Sequence, residues 1–196
     1  MQVTQIAPSE FNRVPWKNGL GYTLELAVSE GGSMSAFDWR LSIATVAQDG
    51  VFSDFSGYWR NLILLSGKGI ELTHSNSPTN ILNQPLDVAR FDGGAVTNGR
   101  LINGEITDFN VMVNPDKYHL DVQTFNGEMS QTLDVKDILF CYSPDEAIKL
   151  TVSNETSNIP AGYLVKLSAL SELEASKIHC EGRGVIIIQL QRKEVN

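Results

Sequence analysis

Leu62-Ile63-Leu64-Leu65-Ser66-Gly67-Lys68-Gly69-Ile70-Glu71-Leu72-Thr73-His74-Ser75-Asn76 reads as an apolar run, a Gly-Lys-Gly turn and a second run ending in His-Ser-Asn. The plan recurs as Ile138-Leu139-Phe140-Cys141, a turn, and Leu150-Thr151-Val152-Ser153-Asn154, offset by 76 and 78 residues (138 against 62, 150 against 72). Asp108 to Val113 answers Val185 to Leu190 at an offset of 77. Two similar β units in tandem, each small for a domain, point to paired barrels packed as one globule, with a junction near Asn114-Pro115-Asp116.

Strand patterning fills the rest of the chain. Tyr22-Thr23-Leu24-Glu25-Leu26-Ala27-Val28 and Phe37-Asp38-Trp39-Arg40-Leu41-Ser42-Ile43 alternate with period two, and Arg60 to Leu65, Gly69 to Thr73 and Asp108 to Val113 are further strand candidates. Asn-Gly at 18, 98, 103 and 126, with Gly31-Gly32, Gly67-Lys68-Gly69 and Gly93-Gly94, supplies turn residues at intervals suited to an all-β fold. Helix is confined to a turn opening at Pro8-Ser9-Glu10 and a segment from Ser171 to Ser176, where Ser171 and Glu174 make a capping-box pattern.

Composition excludes several classes of function. A net charge of −8 and a pI near 4.8 oppose attraction to nucleic acid and to anionic membranes. No apolar stretch approaches the roughly 18 residues of a membrane span. The start, MQVTQIAPSEF, carries neither a basic region nor an apolar block of signal length, which points to the cytoplasm. Cys141 and Cys180 read as buried thiols rather than a disulfide framework. His74, His119 and His179 show no ligand spacing, so neither a metal nor a cofactor is signalled, and His74 reads as a strand-end histidine. The nucleophile elbow, phosphate-binding loop and dinucleotide fingerprint are all missing.

Three segments set polar and basic groups inside apolar patterns. They are PWKNGLGYTLELAV (15–28), FDWRLSIATVAQDGVFSDFSGYWRNLILLSGKG (37–69) and RFDGGAVTNGRLINGEITDFNVMV (90–113). In order and spacing these resemble the HutD/Ves family, over residues 15 to 113; beyond Tyr118 the likeness thins to architecture. The resemblance implies an all-β bicupin, two double-stranded β-helix (cupin) barrels in tandem with few short helices. Residues 1–114 would form the first barrel with its N-terminal strands, and 115–196 a second, degenerate one. It also implies no known enzymatic activity, and a modulator of histidine utilisation that binds a small carboxylate such as urocanate or a formylglutamate-like acid.

The residues suit that chemistry. Arg presents a planar donor fork that grips a carboxylate twice, and Lys adds a point charge. Arg40 and Arg60 lead the candidates, although alternation leaves open whether Arg40 faces water or a cavity. Trp16, Lys17 and Asn18 form a loop suited to covering a flat anion, or a structural turn with Trp16 in the core. Glu25, Ser42 and Asn110 complete the candidate set, and Asp108 shares a strand face with Asn110. Leu20, Val51, Ser56 and the Tyr58-Trp59 pair depart from the family pattern. A competing reading is a metal-independent cupin enzyme, an isomerase or lyase acting on a small acid or sugar with Glu25 as base. A third is a scaffold or homodimer module, suggested by Tyr58 and Trp59.

Overall fold

The structure, a computed structural model, describes residues 1–15, 22–32, 36–169 and 176–194. The expected loop Trp16-Lys17-Asn18 lies outside the described residues, as does Leu20; of the expected helical segment Ser171 to Ser176, residues 171–175 lie outside them and Ser176 opens a strand. Seventeen strands and one 3-10 turn, Pro8–Glu10, make up the regular structure of the described part. No helix among these residues is long and apolar enough to cross a membrane.

The chain divides into two compact units, Phe11–Asp116 and a second made of Met1–Glu10 with Lys117–Asn196. In the first, strands β2 (Asn12–Pro15), β3 (Tyr22–Val28), β4 (Trp39–Val46), β11 (Ile106–Val113), β6 (Trp59–Ser66) and β9 (Val88–Asp92) form one sheet in that spatial order. A second sheet runs β5 (Gly50–Val51), β10 (Thr97–Leu101), β7 (Ile70–His74) and β8 (Asn80–Leu82). One apolar cluster draws on both sheets: Leu62 and Leu64 from β6, Ala89 and Phe91 from β9, Ile70 and Leu72 from β7, and Leu82 from β8. Burying these branched and aromatic side chains between two sheets is the main stabilising term of this unit. The Gly-Lys-Gly link between β6 and β7 is fixed by backbone geometry. Gly69 has φ +113, and a Cβ there would stand 2.3 Å from the Leu82 carbonyl oxygen.

In the other unit, β1 (Gln2–Ile6), β16 (Leu164–Ser168), β13 (Ile138–Tyr142), β17 (Ser176–Arg192), β14 (Ile148–Val152) and β15 (Glu155–Ile159) are hydrogen-bonded in that order, and β12 (Tyr118–Val135) runs along β17. Residues 1–10, read from sequence with the first barrel, thus pair through β1 with β16 of the C-terminal unit. The second copy of the repeat falls on β13, β14 and β17, the first on β6, β7 and β11.

Two expected turns are strand instead. Asn126-Gly127 sits inside β12 at the register shift between Phe125 and Glu128, so its permissive backbone serves a bulge. Asn98-Gly99 lies within β10, where Gly99 admits the Phe52 ring at close range. β4 also begins two residues later than the alternation suggests and continues to Val46.

Candidate functional site

Register places the candidate residues. On β11, Asn110 lies opposite Ser42 of β4 and Leu62 of β6, while Met112 lies opposite Arg40 on one side and Arg60 on the other. Ser42 is in turn opposite Glu25 of β3, and Arg60 is opposite Phe91 of β9. Because side chains alternate along a strand, Glu25, Arg40, Ser42, Arg60, Asp108 and Asn110 share the face that also carries Leu62, Leu64, Ala89 and Phe91. That is the inward face of the Phe11–Asp116 unit. Arg40, whose direction the sequence left open, is 3% exposed, and Arg60 is 5%. Ser42, Asp108 and Asn110 are buried as well.

A hydrogen-bonded relay links three of them. Arg60 donates from Nε (2.8 Å) and Nη2 (2.6 Å) to Asn110 Oδ1, and Asn110 Nδ2 donates to Asp108 Oδ1. Among the described residues Asn110 is the only hydrogen-bond partner of the Arg60 guanidinium, which leaves Nη1 without one. The guanidinium carbon sits 5.0 Å from the Phe52 ring centre, 5.5 Å from that of Phe91 and 6.0 Å from that of Phe55, a cation–π setting on three sides. Glu25 Oε2 accepts from Arg40 Nε at 2.6 Å, with side chains only 14% and 4% exposed. A carboxylate held this way orients Arg40.

The electrostatics follow from burial. Desolvation pulls the Arg60 guanidinium down to about 10; Asp108 opposes this and Arg40, a like charge, reinforces it. Desolvation pushes the Asp108 carboxyl up to about 6, with Arg60 and the Asn110 amide pulling the other way. Asp108 Oδ2 is buried and has no hydrogen-bond partner among the described residues. Arg40 and Arg60 repel each other in this dry interior, and the Glu25 and Asp108 carboxylates offset them.

His74, at the end of β7, is buried. Its Nδ1 stands 2.9 Å from Thr97 Oγ1, its Nε2 3.0 Å from Asn80 Oδ1, and its ring packs on Phe91 at 4.5 Å. Tyr58 stacks on Phe37 at 4.2 Å, whereas Trp59 is 42% exposed. No group of three or more His, Cys, Asp and Glu side chains among the described residues could hold a metal ion.

Among the described residues, the buried charged side chains Arg40, Arg60 and Asp108 all lie in the Phe11–Asp116 unit. Val185 and Ile187, 77 residues on from Asp108 and Asn110, belong to an apolar cluster with Leu139, Val165 and the unbridged, buried Cys141 and Cys180. The aromatic setting of Arg60 was missed in the sequence. Phe52, Phe55 and Phe91 meet there through strand pairing and a loop approach, and Gly99 was the one local sign. Gly99→Ala is expected to lower stability by about 1–3 kcal/mol in chemical denaturation. The added methyl would stand 2.5 Å from Phe52 Cε2 and 3.0 Å from Ile70 Cδ1.

Strands closing on a core, with few helices and a charged relay on an inward face, define a β-barrel protein of cupin-like fold. A cupin 2 conserved barrel domain protein from Leptotrichia buccalis shares that fold at a TM-score of 0.55 with 10% identity. The chain belongs to the HutD family, whose model matches residues 8–188. It is 36% identical over 126 residues, 64% of this chain and 66% of the relative, to an uncharacterized 21.2 kDa protein in the hutC 3' region of Pseudomonas putida. It is 36% identical over 98 residues, 50% of each chain, to Protein Ves of Escherichia fergusonii. The chain thus spans about half to just under two thirds of the length of these curated relatives. Among solved structures, HutD from Pseudomonas fluorescens SBW25 (formate condition) superposes at a TM-score of 0.82 with 29% identity over 98% of this chain and 100% of that one. A conserved protein of unknown function from Pseudomonas aeruginosa PAO1 reaches 0.84 with 25% identity over 97% and 100%.

Proposed function

We propose that the chain is a non-catalytic binding protein for small carboxylates, a metal-free cytoplasmic modulator of histidine utilisation built as a tandem pair of cupin barrels. The acid is held on the inward face of the Phe11–Asp116 unit by Arg60 and Arg40, and Ser42 and Asn110 line the same place. Trp16, Lys17 and Asn18 of the preceding loop are assigned to the same ligand on family resemblance. The observation that carries the reading is the buried Arg60 guanidinium, held by a neutral amide and with N–H donors left over. A guanidinium kept out of water with no carboxylate directly hydrogen-bonded to it keeps N–H donors for an anion. The ion pair that occupies Glu25 favours binding over base catalysis by that residue. The P. putida relative's place in the hutC 3' region supports the link to histidine breakdown.

Urocanate or N-formylglutamate, at about ten times its dissociation constant, is expected to stabilise the full chain by roughly 1.4 kcal/mol. That corresponds to a rise in melting temperature of about 3–6 °C. The methyl esters, which lack the charge, are expected to leave it unchanged. No rise with either acid at millimolar concentration overturns the reading.

A further inference from the structure

Four exposed apolar side chains share the outward face of the β5–β10–β7–β8 sheet. On β10, Asn98 and Arg100 point out while Thr97 and Gly99 are buried. Ser75 N donates to Val96 O at 3.0 Å and Ile102 N to Gly69 O at 2.9 Å, so the β10–β7 ladder runs one residue past each end. Alternation therefore puts Val96, Asn98, Arg100 and Ile102 on one face. Val51 of β5 lies opposite Asn98, Glu71 of β7 opposite Arg100, and Ile81 of β8 opposite Glu71. Val51, Ile81, Val96 and Ile102 are 46–68% exposed, four of the seven large apolar side chains that stand open among the described residues. Single exposed apolar residues are ordinary, whereas four on one sheet face mark a docking surface.

Charge says which partner fits. At the centre of the face Arg100 Nη2 donates to Glu71 Oε2 at 2.7 Å. Asp49 at the rim accepts from Leu101 N, and Lys68 lies in the turn beside Gly69, so two acidic and two basic groups cancel here. The net charge of −8 is thus borne by the rest of the chain, whose surfaces repel one another when two copies meet. We infer that this face docks on the same face of a second copy, sheet against sheet about a two-fold axis. A two-fold contact is self-complementary, so Arg100 of each copy faces Glu71 of the other, and two surface pairs become one ring of alternating charge. From Val96 to Ile102 is about 20 Å and four strands span about 15 Å, the small end of specific interfaces, so the dimer is reversible, with a dissociation constant on the order of micromolar. The proposed acid site plays no part in this contact.

The test is sedimentation equilibrium of the full chain from about 1 to 200 µM, which brackets that affinity. The wild-type mass is expected to climb from the 21.6 kDa of one chain toward twice that value. Arg100→Glu and Glu71→Arg each set like charges against one another across the contact, and each alone is expected to weaken the dimer about 100-fold. Mixed in equal amounts, the two variants present opposite charges and are expected to regain the dimer, which variants that had merely failed to fold would not do. A wild-type chain that stays at 21.6 kDa throughout overturns the inference. So does a dimer that both single variants keep, which places the contact on another surface, and so do two monomeric variants that fail to combine.

Discussion

Arg60→Gln is expected to weaken binding of urocanate or N-formylglutamate about 100-fold in titration calorimetry, equivalent to about 2.7 kcal/mol. The two N–H contacts that Arg60 offers an acid are charge-assisted, and hydrogen bonds to charged groups are worth roughly 1.5–3 kcal/mol each. Gln keeps an amide that can reach Asn110 but loses the charge and the fork, so the variant separates anion binding from the structural part of the relay. The fold is expected to survive. The guanidinium is held at a desolvation cost that already lowers its proton affinity, and its surroundings, Phe52, Phe55 and Phe91, accept a neutral side chain readily. Arg60→Gln with the affinity of the wild-type protein would remove Arg60 from the site. Arg40 is the poorer target because it is hydrogen-bonded directly to Glu25, whereas Arg60 reaches Asp108 only through the Asn110 amide.

Asp108→Asn is expected to alter the pH dependence of stability more than any other single change in this unit. The folded-state carboxyl titrates near 6 and the unfolded one near 3.8. Between those values the native chain holds a proton that the unfolded chain has lost, so ν_N exceeds ν_U and stability falls as pH rises. The loss begins near pH 4 and is complete above pH 6. A displacement of roughly two units corresponds to about 3 kcal/mol. Denaturant unfolding of both proteins at pH 4, 5, 6 and 7 isolates this group, because the remaining titrations cancel in the difference. The wild-type protein is expected to lose about 2–3 kcal/mol relative to Asp108→Asn between pH 4 and pH 7. Parallel profiles would place the Asp108 carboxyl in a solvated environment.

The strands were the legible part. Alternation marks β3 with its ends at Tyr22 and Val28, and the three-residue turn at Pro8–Glu10 is where the sequence opens a helical turn. The repeat falls on corresponding strands of the two units because apolar runs bracketed by glycine are a local property of sequence. Membership of Met1–Glu10 was not legible. β1 pairs with β16 more than 150 residues away, and nothing in a strand's own sequence names its partner. Asn126-Gly127 and Asn98-Gly99 misled for a related reason: the same dipeptide serves a hairpin, a bulge or a close approach, and only the neighbouring strand decides.

For the site, sequence supplied the residue types but not their direction. Arg40 alternates with Trp39 and Leu41, and both faces of β4 are buried, so the usual inference from polarity to solvent fails. Arg40, Ser42, Arg60 and Asn110 meet because β4 and β6 both flank β11, an adjacency that short-range pattern does not encode. The weakly assigned Asp108 joins them, and its unused oxygen is visible only in three dimensions.

The most direct trial of the carboxylate site is a crystal structure of the full chain grown with urocanate. The acid's carboxylate should lie within about 3 Å of Arg60 Nη1, inside the Phe11–Asp116 unit. An acid bound elsewhere on the chain, with the Arg60 guanidinium touching only Asn110 and the three phenyl rings, would contradict the account.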